Sequence, residues 1–217
     1  THTLSFGGGT NKLNYRASLT AISQDGVVIN SSNKKYIARV QATQKGLDDK
    51  LKLTFNLNNG VETSTRSIAD LGRSGQVSNL ISQAYLMRPT DPVFDTDGKS
   101  YFTDPGLFQY INPYAVAEKT INDSQWDNLF GSLKADLDLA DGLQAGWFGS
   151  WRKTNATTGF YLPVSSTDPG AVRQNGFGNI TNKRQNEKLM DISLTYKKTF
   201  GIHNINALAL YEWQNQT

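Results

Sequence analysis

One alternating stretch, residues 128–151, restricts the fold more than any other feature of the sequence. Apolar residues or glycine occupy every second position of its first half, with mostly polar residues between them. Asp141 and Gly142 follow, a dipeptide typical of tight hairpin turns, and the alternation then resumes as far as Trp151. Because successive side chains of a strand point to opposite faces, the stretch predicts a hairpin with one apolar and one polar face. Each strand has about the 9–11 residues that cross a bilayer, more than the roughly 5–6 of an average soluble strand.

The same two-residue period recurs through the rest of the chain. It predicts further strands at residues 2–8, 13–22, 36–43, 51–58, 190–200 and 205–213. Every second connection between the resulting eight strands is short, which is typical of up-and-down membrane barrels with tight turns on one side and long loops on the other. The sequence therefore predicts an all-β fold, an antiparallel up-and-down transmembrane β-barrel segment with two long extracellular loops. These loops are expected at residues 59–127, with a helix near residues 77–87, and at residues 153–187.

Composition excludes several other classes of protein. No apolar run approaches the roughly 20 residues of a transmembrane helix, and a formal charge of +3 from 22 basic and 19 acidic residues gives no reason to expect nucleic-acid binding. Cysteine is absent and only two histidines are present, so neither disulfides nor a structural zinc site is expected. No Ser-His-Asp set is visible, no cofactor is expected, and the chain is predicted not to be an enzyme.

One acidic segment resembles part of a calcium loop. Asp95, Asp97 and Gly98 match the spacing of such a loop, but Val93 stands where its first ligand should be an aspartate. An ordinary Asp-Gly turn is the favoured interpretation, and no metal site is predicted.

The polar positions of the alternating strands are the candidates for the inside of a barrel. If Leu133, Leu137, Leu194 and Ala209 face lipid, the residues between such positions face the lumen and could meet a substrate. These lumen-facing candidates are Arg16, Arg39, Lys52, Lys134, Asp136, Asp138, Asp191, Lys197 and Glu212. Asp136 and Asp138 share one strand face, where paired carboxylates could act on sugars, but compensation by the nearby Lys134 is the favoured explanation.

Five segments carry a resemblance to a known family. In order they are LSFGGGTNKLNYRASL, MRPTDPVFDTDGKSYF, NPYAVAE, NLFGSLKADLDLADGLQAGWFGS and LTYKKTFGIHNINALALYEWQ. They resemble consecutive blocks of the SusC/RagA family of TonB-dependent outer-membrane transporters. The resemblance implies a 22-stranded barrel with an N-terminal plug, a SusD-like lipoprotein lid, and import of glycans or peptides driven by TonB.

The resemblance also implies a location and a set of partners. Residues 1–217 would be part of a TonB-dependent receptor β-barrel domain, with the plug domain and C-terminal strands absent from this sequence. The location would be the outer membrane of a Gram-negative bacterium. The partners would be the rest of the same barrel, outer-membrane lipid, the SusD-like surface lipoprotein, the glycan or peptide cargo, and TonB through the plug region.

The first long loop offers candidates for contact with the lid. They are Arg88, Asp91, Tyr101, Phe102, Tyr110 and Tyr114, since rigid aromatic side chains suit contact surfaces and sugar stacking. The alternative is that the loop aromatics, Phe108 among them, pack the loop against itself, because a loop of this length needs its own core.

Two other functions stay open at this stage. One is a secreted soluble β-rich carbohydrate-binding module, and the other is an enzyme on a β scaffold. Folding without detergent would favour the soluble module.

Overall fold

Eight strands form one antiparallel sheet in which each strand pairs with the next along the chain. The computed structural model describes residues 1–66, 80–104, 106–107 and 110–217. The strands are β1 (His2–Gly9), β2 (Leu13–Asp25), β3 (Ser32–Gly46), β4 (Leu51–Thr65), β5 (Ile121–Ala140), β6 (Leu143–Leu162), β7 (Phe177–Phe200) and β8 (His203–Gln216). This order confirms the predicted all-β, up-and-down architecture.

The connections differ strongly between the two ends of the sheet. One end has only the short turns at residues 10–12, 47–50, 141–142 and 201–202, and the other has the connections at residues 26–31, 66–120 and 163–176. Gly142 and Gly201 have φ of +79° and +59°, the left-handed conformation that such tight turns require. The predicted alternation of short and longer connections is therefore confirmed.

The described residues of the longer connections form three short helices: α1 (Leu80–Leu86), α2 (Pro113–Lys119) and α3 (Pro169–Arg173). Helix α1 confirms the described part of the helix predicted at residues 77–87; residues 77–79 lie outside the described residues, as does Phe108. None of the helices in the described ranges is long and apolar enough to cross a membrane.

The predicted bounds of both long loops are wrong. Strand β4 continues to Thr65 and β5 already begins at Ile121, so the loop predicted at residues 59–127 is a connection of residues 66–120. The loop predicted at residues 153–187 is shorter as well. Strand β6 continues to Leu162 and β7 already begins at Phe177, which leaves a connection of residues 163–176. Asn, Thr and Lys make up about half of the residues added to β6 and β7 and occur on both faces, so these ends show no regular alternation of apolar and polar positions. Their backbones are nevertheless paired in unbroken register, with Thr157 opposite Asn182, because a ladder of hydrogen bonds needs no apolar face.

The sheet has one apolar face and one polar face. Cross-strand register places Leu133 in one row with Phe55, Met190 and Trp213, all on the apolar face. The large side chains that remain exposed on this face are Leu4, Phe6, Leu13, Tyr15, Leu19, Tyr36, Val40, Phe55, Leu57, Leu133, Trp147, Trp151, Ile192, Leu194, Ile205, Tyr211 and Trp213. No second layer covers them within the described part of the chain. An apolar surface of this extent marks a face that meets something other than water.

These exposed apolar side chains form a band, the apolar band, that runs obliquely across the sheet. On β3 its last apolar residue toward the long connections is Tyr36, followed by Lys34, whereas on β8 it is Trp213, followed by Asn215. Trp213 lies level with Ala42, so the limit of the band shifts by six residues over the five strand spacings from β3 to β8. With about 3.3 Å per residue and about 4.8 Å between strands, this shift corresponds to a strand tilt of roughly 40°. Strands of membrane barrels are tilted by about 35–45°.

Aromatic residues mark part of this limit. Tyr36, Trp151 and Trp213 end the continuous run of apolar residues on this face of β3, β6 and β8, the position in which amphipathic rings settle at a membrane interface. Tyr15, Trp147 and Tyr211 lie within the band.

Candidate functional site

Every lumen-facing candidate lies on the polar face of the sheet. The cross-strand rows show this directly: Lys134 stands in one row with Asp191 and Glu212, and Lys52 stands opposite Asp136. The register places the others on the same face, namely Arg16, Arg39, Asp138 and Lys197. The two-residue period alone was therefore sufficient to group these residues.

Asp136 and Asp138 on the polar face each have a polar side-chain partner. Lys134 Nζ lies 2.9 Å from Asp136 Oδ2, and Gln144 Nε2 donates a hydrogen bond of 2.9 Å to Asp138 Oδ1. The two carboxylates thus have separate partners, an arrangement that suits a charged wall rather than acid–base chemistry.

A groove of about 560 Å³ lies on the polar face over β3 to β6. Its lining contains the basic residues Lys35, Arg39, Arg66 and Arg152, the aromatic rings of Trp126 and Phe130, and one acidic residue, Glu62. The groove reaches the end of the sheet that carries the long connections, because Arg66 directly follows β4.

Of these groove residues, only Arg39 was identified from the sequence. Lys35, Glu62, Arg66 and Trp126 lie where loops were predicted, and a signal for them exists only once β3 to β5 are known to extend further. Phe130 and Arg152 lie on or directly beside the predicted hairpin, but nothing in the local pattern connected them with a site. Lys35 Nζ pairs with Glu62 Oε2 at 3.0 Å, and the Arg152 guanidinium lies 5.4 Å from the centroid of the Phe130 ring.

The described part of the 66–120 connection, which we call the loop cap, has its own small core. Leu80, Ile111, Val116 and Ala117 are buried together, and Val28 from the 26–31 connection packs against them. The loop cap is thereby held to a neighbouring turn as well as to itself. Helix α2 also contacts the 3₁₀ turn Val164–Ser166 in the next long connection.

Asn112 organises the loop cap from its interior. Only 2% of the residue is exposed. Its side-chain oxygen accepts from the backbone N–H groups of Tyr114 and Ala115 and so caps α2. Its amide donates to the carbonyls of Val93 and Phe102, at 2.8 and 3.3 Å. One side chain therefore connects the helix to both sides of the β-bridge that pairs Phe94 with Tyr101.

Three of the lid-contact candidates form one polar cluster. Arg88 Nε lies 2.9 Å from Asp91 Oδ2, and Tyr110 donates its hydroxyl proton to the same carboxylate. The Tyr110 hydrogen bond and then Arg88 lower the pKa of Asp91. Arg88 also lies 2.7 Å from Asp104, and these partners raise its pKa.

Two further candidates belong to a ring cluster. Tyr101 stacks on Phe94 with centroids 5.4 Å apart, and Tyr114 approaches both rings. Burial and then a hydrogen bond to Glu118 raise the pKa of Tyr101. These rings do pack the loop against itself, yet Phe94 and Tyr114 remain 41% and 40% exposed. Phe102 contributes its backbone carbonyl to the Asn112 hydrogen bonds.

The Asp95–Asp97 segment is a hydrogen-bonded turn. Gly98 N–H donates to the Asp95 carbonyl at 2.9 Å, as in a β-turn. The Asp97 side chain accepts from the N–H groups of Lys99 and Ser100 and from the Ser100 hydroxyl, which lower its pKa. These contacts support the Asp-Gly turn expected from the sequence.

Comparison with known proteins shows where this two-faced sheet occurs. The chain is 27% identical over 214 residues to TonB-dependent receptor P3 of Formosa agariphila. This alignment covers 97% of the chain and 21% of that relative. The chain is 32% identical over 111 residues to TonB-dependent receptor SusC of Bacteroides thetaiotaomicron, covering 51% of the chain and 10% of SusC. The solved RagAB peptide importer in its closed-closed state matches 98% of the chain and 24% of the importer chain, with a TM-score of 0.74 and 21% identity. No protein-family model matches the chain.

The resemblance to the SusC/RagA family of TonB-dependent receptors is thereby confirmed. The sheet has the fold of a segment of a SusC/RagA-type barrel, and the chain spans about a quarter or less of the proteins it matches. These relatives are receptors and transporters, which confirms the expectation that the chain is not an enzyme. SusC/RagA-type receptors are outer-membrane proteins, in agreement with the location expected from the sequence.

Proposed function

We propose that the chain is part of the barrel wall of an outer-membrane transporter that imports glycans or peptides by a TonB-dependent route. The observation that carries the proposal is the exposed apolar band, inclined like the strands of a membrane barrel and opposite a face that carries the charged side chains. On this proposal the apolar face contacts outer-membrane lipid, the polar face lines the lumen, and the long connections lie outside the cell.

The rest of the same barrel domain would pair with β1 and β8. Both are edge strands within the described sheet, and lipid tolerates no unpaired strand edge. Coupling to TonB would run through a plug region of the complete receptor, as in the SusC/RagA resemblance.

The loop cap is the proposed contact for a SusD-like surface lipoprotein. It is a structured element at the end of the sheet that faces outward on this proposal, and it presents Phe94, Tyr114 and the Arg88 cluster. Exposed aromatic rings and arginine on a pre-organised scaffold are the residues that dominate protein contacts.

Single cysteines test which face meets lipid, and these 217 residues contain no native cysteine. Leu194 and Thr195 are neighbours on β7 that face opposite sides of the sheet. In the complete receptor, Thr195→Cys should react with a water-soluble maleimide, whereas Leu194→Cys should react only with a lipid-soluble one. Equal reaction of both variants with the water-soluble reagent would contradict the proposal, and would be expected of a soluble carbohydrate-binding module.

A further inference from the structure

We infer that the groove over Gly60 is a binding subsite for an acidic saccharide, an inference that rests on the proposed transport function. The subsite would recognise a sugar unit bearing a carboxylate or sulfate group.

The groove exists because a side chain is missing at its centre. Gly60 lies directly between Ile37 and Asn128 across the sheet, and Asn58 and Glu62 flank it along β4 on the same face. All four neighbours line the groove. A Cβ added at Gly60 would meet no atom within 4 Å, so the space is open to a ligand.

The lining matches a sugar acid in its polarity. Trp126, 41% exposed, offers a flat indole face to the C–H face of a pyranose, and Asn58 and Asn128 offer amides to its hydroxyl groups. Four basic side chains accompany one carboxylate among the described residues of the lining. Lys35 is paired with Glu62 and Arg152 with Glu187, whereas Arg39 has no ion-pair partner among the described residues. An arginine without an ion-pair partner can form a bidentate hydrogen bond with a carboxylate or sulfate group of a ligand.

The backbone beneath the groove favours a saccharide over an extended peptide. A peptide commonly binds a sheet by adding a strand to a free edge. The groove lies over β3 to β6, each of which is already paired on both sides. Recognition must therefore come from side chains.

Binding measurements on the complete receptor test the inference with four probes. These are a galacturonate trisaccharide, the same trisaccharide with its carboxylates methyl-esterified, a triaspartate peptide, and neutral maltotriose. We expect the acidic trisaccharide to bind, and esterification to weaken binding about tenfold or more because the charge-assisted hydrogen bonds are lost. Equal binding of acid and ester, preference for the peptide, or no binding of the acidic trisaccharide would each overturn the inference.

Two glycines provide matched variants. Gly60→Phe should fill the groove and weaken binding of the acidic trisaccharide about tenfold or more. Gly159→Phe should leave binding unchanged, because Gly159 lies on the opposite face and its added side chain would also enter open space. Unchanged binding in Gly60→Phe would refute the location.

A third variant separates charge from shape and from folding. Arg39→Gln should reduce the preference for acid over ester while leaving binding of the ester unchanged; an unaltered preference would exclude Arg39 from the subsite. Membrane assembly of each variant distinguishes the two proposals. A receptor that assembles and passes the cysteine test but shows no preference for the acid refutes only the acidic subsite, whereas one that fails that test refutes the transport proposal itself.

Discussion

A charge on the apolar face should prevent assembly of the barrel, and Leu133→Arg is the most direct test. Leu133 is the middle one of five apolar-face positions on β5 that begin at Leu129 and end at Leu137. It is 39% exposed and lies opposite Phe55 and Gly149, neither of which could neutralise a guanidinium. Arginine on the lipid face near the bilayer midplane costs about 2–4 kcal/mol. This cost corresponds to a shift of roughly 30- to 700-fold in the assembly equilibrium.

The neighbouring position supplies the control. Lys134→Leu removes the ion pair with Asp136 on the polar face, but Lys134 is 52% exposed, so water screens the pair and the loss should be only about 0.2–1 kcal/mol. Leu133→Met preserves apolar character and should assemble normally.

The assay is the fraction of complete receptor that migrates as a folded, heat-modifiable barrel in outer-membrane preparations. We expect a large loss for Leu133→Arg and nearly normal assembly for Lys134→Leu. Equal assembly of the two, or a greater loss for Lys134→Leu, would refute the assignment of the two faces.

Two predictions concern the loop cap. Asn112→Ala should destabilise the loop cap by about 2–3 kcal/mol, because it removes the cap of α2 and the side-chain donor to the Phe102 carbonyl. Limited proteolysis should then cleave within the loop cap while the barrel stays folded, and equal protease resistance would contradict the role of Asn112. The Arg88–Asp91–Tyr110 cluster should loosen in acid. The pKa of Asp91 is lowered by the Tyr110 hydrogen bond first and then by Arg88, so its stabilising effect is present above the ordinary aspartate pKa of about 3.9 and is lost as the pH falls through the lower folded value. In Tyr110→Phe, hydrogen exchange should show this loss of protection at a higher pH than in the native chain. An unchanged pH midpoint would contradict the stabilising role of the Tyr110 hydrogen bond.

The two-residue period of the sequence was sufficient for the architecture and for grouping the polar-face residues. The sequence of each strand is sufficient to assign its two faces, because successive side chains of a strand point in opposite directions wherever the strand lies in the sheet. The turn at Gly142 could also be predicted from the sequence, since few residues other than glycine adopt its backbone conformation. The faces of Lys134 and Leu133 could therefore be assigned without knowing which strands are neighbours.

The groove and the loop cap were decided only by tertiary structure. The groove depends on the register that sets Gly60 between Ile37 and Asn128, and register joins segments far apart in the chain that share no local pattern. The ends of β6 and β7 were not predicted because polar residues such as Thr157 and Asn182 interrupt the alternation there, although the backbones remain paired. The role of Asn112 likewise cannot be predicted from its local sequence, because it depends on contacts with Val93, Phe102 and the start of α2 that form only in the folded chain. Periodicity is a property of neighbouring residues, whereas a binding surface results from contacts between distant ones.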